Sequence, residues 1–226
     1  MDNNSDMERL FEFQREMRAR INHSKHLAKF RYVGGADLTE HNDLFVGCFV
    51  VVDCEDNLKV IYQKCTEMTV DVPYYSGLLG FREGPVVIAL HNEFCEACPD
   101  IKLDALVWIG VTLQIPTIGV FKNFSNIGSG HNRKDVVQQA QEECKNVGDV
   151  IILDHEFSDG FKVKCAVMRT TDRTPFRLVF MSVGNLIDLE SCIEVMKKVC
   201  HYREPEPVRL ADKISREYIR NQNAAI

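Results

Sequence analysis

The sequence lacks the long apolar segments and the leader signals of membrane and exported proteins. No run of 18 apolar residues occurs in its 226 residues, so we expect no membrane-spanning helix and no membrane partner. The first six residues, MDNNSD, are polar and acidic, which is not typical of a signal peptide. The nine cysteines are an odd number without any sign of a secretory context. We therefore expect reduced thiols in a cytoplasmic or nuclear protein.

Signatures of several enzyme classes are also missing. The sequence has no Walker phosphate-binding loop, no G-x-S-x-G nucleophile motif and no H-x-x-x-H pair of metal ligands. Cys95 and Cys98 form one Cys-x-x-Cys pair, but no second pair of ligands stands at a zinc-site spacing. We interpret these two thiols as residues at the end of a helix, and a metal or redox role is the less favoured alternative.

Charge is distributed unevenly along the chain, which has a net charge of -6. Residues 31–159 carry 9 basic and 20 acidic side chains, whereas residues 160–226 carry 12 basic and 8 acidic ones. An acidic middle can gather a metal ion and a basic C-terminal third can contact phosphates, which together suit a nuclease. A solvated surface of mixed charge explains the same distribution, so charge alone does not decide between the two.

The hydrophobic pattern predicts one α/β domain that spans residues 1–226. An amphipathic helix is predicted at 5–28, within an N-terminal segment 1–29. The pair Gly34-Gly35 allows another backbone or a ligand to approach the first strand closely. In chain order, we predict strands 30–38, 44–52 and 58–68 as an antiparallel meander, a helix from Pro85 to Cys98, strands 103–109 and 115–121, a helix 133–147, a hairpin of 149–153 and 161–169, a strand 177–183, helices 188–200 and 207–220, and a frayed tail at 221–226.

Two carboxylates stand at positions where a metal-dependent site is often built. Asp37 ends a predicted central strand, and Glu83 stands at the start of the following helix. A carboxylate from a strand end and another from a nearby helix can share one divalent ion. Each position also has a structural explanation, because an acidic residue is common at a strand end and the helix dipole favours Glu in the first turn.

Four segments, in order along the chain, combine glycine, proline and charged residues in unusual patterns. They are 31–37 (RYVGGAD), 73–83 (PYYSGLLGFRE), 115–122 (IPTIGVFK) and 203–212 (REPEPVRLAD). Together they resemble the motifs R-Y-V-G-G-x-D, P-Y-x-x-G-x-L-x-F-R-E, P-x-x-G-V-x-K and R-x-P-E-P-x-R-x-A-D of the endonuclease V family. The combination is specific and covers roughly residues 30–220.

This resemblance implies a ribonuclease-H-like α/β fold, with a mixed sheet flanked by helices. It also implies hydrolysis of the second phosphodiester 3′ to an inosine, with Mg²⁺ as the cofactor and Mn²⁺ as a substitute. The expected partner is inosine-containing single-stranded RNA or DNA, chiefly RNA in eukaryotic members of the family. We expect a monomer.

The same resemblance assigns roles to five residues of this chain. Asp37 and Glu83 would be the catalytic metal ligands. Tyr74 would belong to the wedge that probes the strand near the inosine, Gly77 would be a substrate-binding residue, and Lys122 would lie near the scissile phosphate. Without the resemblance, Tyr74 could be an ordinary turn aromatic and Lys122 a solvated charge at a strand end.

The resemblance breaks in the middle of the chain. The family continues its next strand with D-G-x-G-x-x-H-x-R-x-x-G-x-A-x-H-[IL]-G, which supplies a second essential Asp and a His. Here Trp108 follows residues 103–107 (LDALV), and residues 109–111 (IGV) resume the pattern, so about seventeen residues are absent. A further departure is Asn185, which stands where the family motif S-x-G-H carries His.

The gap shortens the connection between strands 103–109 and 115–121, which should be parallel neighbours. Only residues 110–114 remain between them, whereas a parallel crossover usually takes about ten to twelve residues or more. We therefore expect a truncated central crossover, with local disorder, a rearranged central sheet or instability. Three explanations stay open: an impaired nuclease, a chain that binds nucleic acid without cleaving it, or an inactive truncated product.

Overall fold

The computed structural model describes residues 3–42, 44–70, 78–108, 113–121, 132–156, 160–172 and 177–224. Along these ranges the elements are α1 (Asn3–Ala19), β1 (Tyr32–His41), β2 (Leu44–Asp53), β3 (Lys59–Met68), α2 (Leu79–Ala97), β4 (Ala105–Val107), β5 (Thr117–Phe121), α3 (Arg133–Glu143), β6 (Val150–Glu156), β7 (Lys162–Thr171), β8 (Arg177–Val183), α4 (Leu189–Val199) and α5 (Glu206–Ala224). None of the described helices is long and apolar enough to cross a membrane.

One mixed sheet of eight strands forms the centre of the fold, in the order β3-β2-β1-β4-β5-β8-β7-β6. The first three strands are an antiparallel meander, as predicted, and β6 and β7 form the predicted antiparallel hairpin. Strands β1, β4 and β5 are parallel to one another in the middle of the sheet. The mixed sheet flanked by helices that the sequence predicts is therefore confirmed.

Helices cover both faces of the sheet because alternate residues of the inner strands are apolar. Along β2, Cys48 and Val50 face a core that also contains residues of α4 and α5. Phe49 and Val51 face the opposite core, which contains α2, while α3 covers the far end of that face over β6 and β7. The sheet is thus the middle of three layers.

Two helix boundaries differ from the prediction by six residues or more. Helix α1 ends at Ala19 rather than at 28, because the backbone that follows bonds to distant side chains: the Asn22 N–H donates to Asn185 Oδ1, and the Leu27 N–H to Ser191 Oγ. Helix α2 begins at Leu79, six residues before Pro85. Proline there removes only one intrahelical hydrogen bond near the start of the helix, so the helix tolerates it.

The remaining predicted elements are close to their observed positions. Helix α3 ends at Glu143, four residues before the predicted end, and α5 continues to Ala224, into the segment predicted as a frayed tail.

The two central strands are much shorter than predicted. Strand β4 has three residues and β5 has five, and only Leu106–Thr117 and Val107–Ile118 are paired between them. They are parallel neighbours as predicted, with β4 between β1 and β5. Nine residues, 108–116, separate the end of β4 from the start of β5.

Candidate active site

Asp37 lies on β1 just beyond the end of its parallel neighbour. Within the described residues, strand β4 pairs with β1 only as far as Gly35, opposite Val107, and Asp37 lies two residues further along β1. The Asp37 side chain is half-buried, and its Oδ2 accepts a hydrogen bond of 3.3 Å from the Thr39 hydroxyl. Thr39 in turn shares a buried hydrogen bond of 2.6 Å with Ser215 of α5, which ties this part of β1 to that helix.

Gly35 explains how α5 comes so close to the strand that carries Asp37. A Cβ at this position would lie 2.6 Å from the Val208 nitrogen and 2.7 Å from the Pro207 carbonyl carbon, both backbone atoms of α5. No side chain larger than hydrogen fits there without a shift of the backbone. The close approach predicted from Gly34-Gly35 is thus confirmed at Gly35, and the group that approaches is another backbone.

Glu83 lies in the second turn of α2 and interacts electrostatically with Asp37. Its pKa is raised to about 7, first by burial and second by the negative charge of Asp37. A hydrogen bond from Trp108 and the positive charge of Arg82 act in the opposite direction. Two carboxylates, one from a strand and one from a helix, therefore lie in the same electrostatic environment, as the sequence pattern suggested. That they share one ion stays a prediction.

Trp108 reaches this pair from the end of β4. The indole N–H donates a hydrogen bond to the Glu83 carboxylate, since an indole can only donate. The six-membered ring lies over the backbone of α2, and a Cβ at Gly84 would be 3.7 Å from its nearest atom. The position at which the sequence departs from the family motif is therefore in direct contact with one of the two predicted catalytic residues.

Helix α5 adds further charges near Asp37 that the sequence analysis did not include in the site. Arg216 Nε donates to Asp212 Oδ1 over 2.7 Å. The pKa of Arg216 is raised, chiefly by Asp212 and additionally by the charges of Asp37 and Glu204. Asp212 is the last residue of the segment REPEPVRLAD, so that motif was the available signal for this carboxylate. Arg216 lies one helical turn further on and belongs to none of the four motifs.

The acidic pair does not amount to a complete site for a divalent ion. Carboxylate oxygens are the ligands that Mg²⁺ prefers, and Asp37 and Glu83 supply them. Glu83 also interacts with the Trp108 side chain, which acts to lower its pKa. Within the seven described ranges, no group of three or more His, Cys, Asp or Glu residues is arranged to hold a metal ion. Among the described residues, Asp37 and Glu83 are therefore the candidates to hold a divalent ion.

The structure does not test the other site residues predicted from the sequence. Tyr74, Gly77 and Lys122 lie outside the described residues. Asn185, which stands where the family motif carries His, is buried and holds the start of β5: its N–H donates to Thr117 Oγ1 over 2.8 Å, and its carbonyl accepts from the Thr117 N–H over 2.9 Å.

Comparison with solved structures places the fold in the ribonuclease-H-like class. The catalytic domain of human Endonuclease V superposes with a TM-score of 0.84 at 24% identity, over 97% of this chain and 98% of that one. Endonuclease V (D234N) from Ciona intestinalis, crystallised with a 23mer DNA containing an inosine followed by a ribo-adenosine, gives a TM-score of 0.84 at 23% identity, over 98% and 99% of the two chains. These likenesses establish the shared architecture.

Sequence comparison establishes the family. A sequence model described as Endonuclease V matches residues 15–106 and 105–213. Endonuclease V of Dictyoglomus thermophilum is 31% identical over 214 residues, which are 90% of this chain and 87% of that protein. The chain belongs to the Endonuclease V family. The two matched segments meet in β4, next to Trp108, where the family motif is interrupted.

Proposed function

We propose that this chain binds inosine-containing single-stranded RNA or DNA and hydrolyses a phosphodiester 3′ to the inosine, with Mg²⁺ or Mn²⁺, at a strongly reduced rate. The observation that carries the proposal is the electrostatic proximity of Asp37 and Glu83 in a member of this family. A relative of the same fold was crystallised with DNA that contains an inosine. We propose action as a monomer in the cytoplasm or nucleus, and the nine free cysteines agree with that compartment.

The reduced rate follows from Trp108. The family motif supplies an Asp at this point, whereas an indole offers neither an acceptor oxygen nor a titratable group. Its N–H also engages Glu83. Losing one member of an interdependent catalytic set commonly costs as much as losing several. A short connection between β4 and β5 adds to the loss, because a displacement of about 1 Å can reduce a rate about a hundredfold.

The exposed face of α5 supports binding of the nucleic-acid backbone. Lys213, Arg216 and Arg220 are all exposed and follow one another at spacings of three and four residues, which places them on one side of the helix. The guanidinium of Arg216 lies close enough to Asp37 for that charge to raise the pKa of the arginine. A row of cations that leads to the acidic pair can hold the phosphates of a bound strand.

A second candidate function is binding of inosine-containing nucleic acid without cleavage. The hydrogen bond from Trp108 to Glu83 favours it, because that bond occupies a carboxylate that hydrolysis needs. In this alternative the basic face of α5 and the wedge residue Tyr74 keep their roles, and the acidic pair is a remnant. An inactive truncated product is the limiting case, in which binding is lost as well.

One set of assays separates these candidates. Purified full chain is incubated with a single-inosine RNA and with the same sequence containing guanosine, in Mg²⁺ or Mn²⁺, and Asp37→Ala controls for contaminating nucleases. Slow cleavage that is specific for inosine and absent in Asp37→Ala supports the impaired nuclease. Salt-dependent binding without cleavage supports the non-catalytic alternative, and the absence of both contradicts the proposal.

The wedge role of Tyr74 has its own test. Stacking of an aromatic side chain on a base contributes about 1–3 kcal/mol to binding. We therefore expect Tyr74→Ala to weaken binding of the inosine RNA at constant salt, while Tyr74→Phe retains most of it. Equal affinities of Tyr74→Ala and wild type would remove Tyr74 from the binding site.

A further inference from the structure

Two free thiols lie directly opposite each other on neighbouring strands of the meander. In the antiparallel pairing of β2 with β3, Cys48 is the register partner of Cys65. Side chains of directly opposed residues point to the same face of the sheet and are close enough to interact. The two cysteines therefore meet across the strand pair, although 17 positions separate them in the sequence.

The hydrogen-bond pattern shows which kind of antiparallel pair Cys48 and Cys65 form. They are a non-hydrogen-bonded pair, the kind in which the two Cα atoms are closer together. The Cys54 N–H donates to the Arg31 carbonyl over 2.7 Å, and these two residues extend the register of β1 and β2 by one position. Hydrogen-bonded and non-hydrogen-bonded pairs alternate along an antiparallel ladder. Asp37 and Cys48 lie six positions along the ladder from Arg31 and Cys54, so they are again a hydrogen-bonded pair. The N–H and C=O of Cys48 then point towards β1 and away from β3.

The pair Cys48–Cys65 is consequently a non-hydrogen-bonded pair of the β2–β3 ladder. The Cα atoms of such a pair are about 4.5 Å apart, within the range of about 4.4–6.8 Å that a disulfide spans. The irregularity in this ladder lies between Val51 and Val52 and does not change the direction in which Cys48 bonds. The strand geometry thus allows a disulfide without a change of register.

The two thiols differ in access and in acidity. Cys48 is completely buried, whereas Cys65 on the edge strand β3 is half-buried. The hydrogen bond from the Cys48 thiol lowers the pKa of the Cys65 thiol. An accessible cysteine of lowered pKa next to a second thiol is the arrangement of oxidant-sensitive cysteine pairs.

We propose that Cys48 and Cys65 are a site of oxidative modification, at which a peroxide converts the two opposed thiols into a reversible disulfide across β2 and β3. The Cys65 thiolate attacks hydrogen peroxide, the O–O bond breaks, and a sulfenic acid and hydroxide form. Cys48 then attacks the Cys65 sulfur, the S–O bond breaks, and the S–S bond forms with loss of water. Overall two thiols and one peroxide give one disulfide and two waters.

This pair differs from the Cys-x-x-Cys pair of the same chain, which serves as an internal control. Cys95 and Cys98 lie at the end of α2, where the Cys95 sulfur is 3.7 Å from His91 Nε2 and not in register with a facing thiol. Burial raises the pKa of Cys95. We expect these two thiols to react with an alkylating reagent readily, since Cys95 is exposed, but not to form the first disulfide.

The experiment uses the folded full chain, reduced and then freed of reductant. Hydrogen peroxide is added at a small molar excess, remaining thiols are alkylated, and cysteine peptides are mapped by mass spectrometry. We expect a linked pair of peptides that contain Cys48 and Cys65, and its disappearance after dithiothreitol. Reduced Cys48 and Cys65 in a sample in which other cysteines are oxidised would overturn the proposal.

Two variants test the order of the steps. Cys48→Ser is expected to leave a sulfenic acid at Cys65 that a dimedone reagent traps, whereas Cys65→Ser should yield no such adduct at Cys48. The double variant Cys95→Ser and Cys98→Ser should form the disulfide at the wild-type rate. A disulfide that forms only in urea would show that the opposed geometry plays no part. The result does not depend on the proposed nuclease function, because no substrate is present.

Discussion

The meander and the central parallel pair of this sheet contrast sharply, although both have strand-forming sequences. Strands β1, β2 and β3 each run for ten residues and are paired along their length. Strands β4 and β5 have three and five residues and share two paired positions. The predicted strands 103–109 and 115–121 are as apolar as those of the meander. Strand propensity therefore does not explain the difference.

The length of the connections does explain it. Strand β1 is joined to β2 by two residues, because antiparallel neighbours need only a turn. Parallel neighbours need a crossover, and residues 108–116 are fewer than the ten to twelve or so that such a connection usually takes. We infer that residues at the ends of the central strands serve the connection instead of the sheet. Trp108 is one of them, and it contacts Glu83 as a result.

The largest expected effect comes from lengthening this connection. Replacement of Trp108 by the D-G-x-G-x-x-H block that the resemblance implies would lengthen the crossover and supply an acidic residue. We expect inosine-specific cleavage to rise by about a hundredfold or more, because a displaced or missing catalytic group costs factors of this size. Cleavage of a single-inosine RNA in Mg²⁺ measures it.

A control insertion of the same length separates the effect of a longer connection from the effect of the added acidic residue. A glycine-serine segment of the same length allows β4 and β5 to extend but supplies no carboxylate, and we expect it to leave cleavage near the wild-type level. Equal activation by both insertions would mean that the acidic residue is not needed. No change with either would mean that the short connection is not what limits the chain.

The second prediction concerns Gly35, where β1 leaves its short parallel neighbour. In Gly35→Ala the new methyl group would lie 2.6 Å from the Val208 nitrogen, so the backbone of α5 must move. We expect a loss of about 1–3 kcal/mol in the free energy of unfolding, as for other overpacked positions. Urea denaturation monitored by circular dichroism measures the change.

Gly84 is the matched control for this substitution. A Cβ there meets the Trp108 ring at 3.7 Å, an ordinary contact, and the residue lies inside α2. We expect Gly84→Ala to stabilise the protein by up to about 1 kcal/mol, because alanine is favoured over glycine in a helix. Similar losses in both variants would contradict the close approach of α5 to Gly35.

Sequence reasoning predicted the parts of the fold that depend on local signals. The meander, the β6–β7 hairpin and strand 177–183 follow from alternating residues and short turns, and the structure confirms them. The sequence did not predict where α1 ends, because the segment after Ala19 is held by Asn185 and Ser191, more than 160 positions away. No local pattern carries that information.

In the candidate site, too, the sequence predicted what depends on local signals and missed what depends on tertiary contacts. Asp37 and Glu83 stand in short motifs with glycine and charged neighbours, so the sequence could single them out. The contact between Trp108 and Glu83 depends on the register of β4 against β1 and on the start of α2 at Leu79, both of which are tertiary features. Arg216 is near Asp37 only because α5 packs over β1.

The third prediction compares the protection of backbone amides in the two regions. The Leu106 and Thr117 amides bond to Pro116 and Asn185 at the ends of the short central strands. The interior of β2 is paired on both sides along its length. Because few cooperative contacts hold the central pair, we expect its amides to exchange at least about ten times faster than those of β2.

Hydrogen exchange followed by NMR or mass spectrometry provides the measurement. In the variant with the longer connection between β4 and β5, the amides of these two strands should exchange more slowly. The exchange rates in β2 should not change, so the difference between the two regions becomes smaller. Equal protection of the two regions in the wild type would show that two paired positions suffice for a stable parallel pair.

The smallest expected effect on stability concerns the pair of Arg31 and Asp53, where the meander meets the central parallel strands. The Arg31 N–H donates to Asp104 just before β4, and its guanidinium donates to Asp53 at the end of β2, with Nη2 2.7 Å from Asp53 Oδ2. The hydrogen bonds from Arg31 hold the pKa of Asp53 below its usual value, with help from the Glu55 backbone N–H. The folded chain therefore binds fewer protons at this site than the unfolded chain does.

This difference gives a definite direction to the pH dependence. The contribution of Asp53 to stability is fully present above the pKa of the unfolded chain, about 3.9, and is lost as the pH falls through the lower pKa of the folded state. We expect Asp53→Asn to be less stable than wild type at pH 7 and pH 5, and the two curves to converge between pH 4 and pH 2. Urea denaturation across this range measures the stability of both proteins.

Asp56→Asn is the control, because Asp56 lies at the same turn and is paired with Lys59 over 3.5 Å. This variant should lose stability at low pH in the same way as the wild type. A constant difference between Asp53→Asn and wild type at every pH would mean that this junction is held by packing rather than by the charged pair.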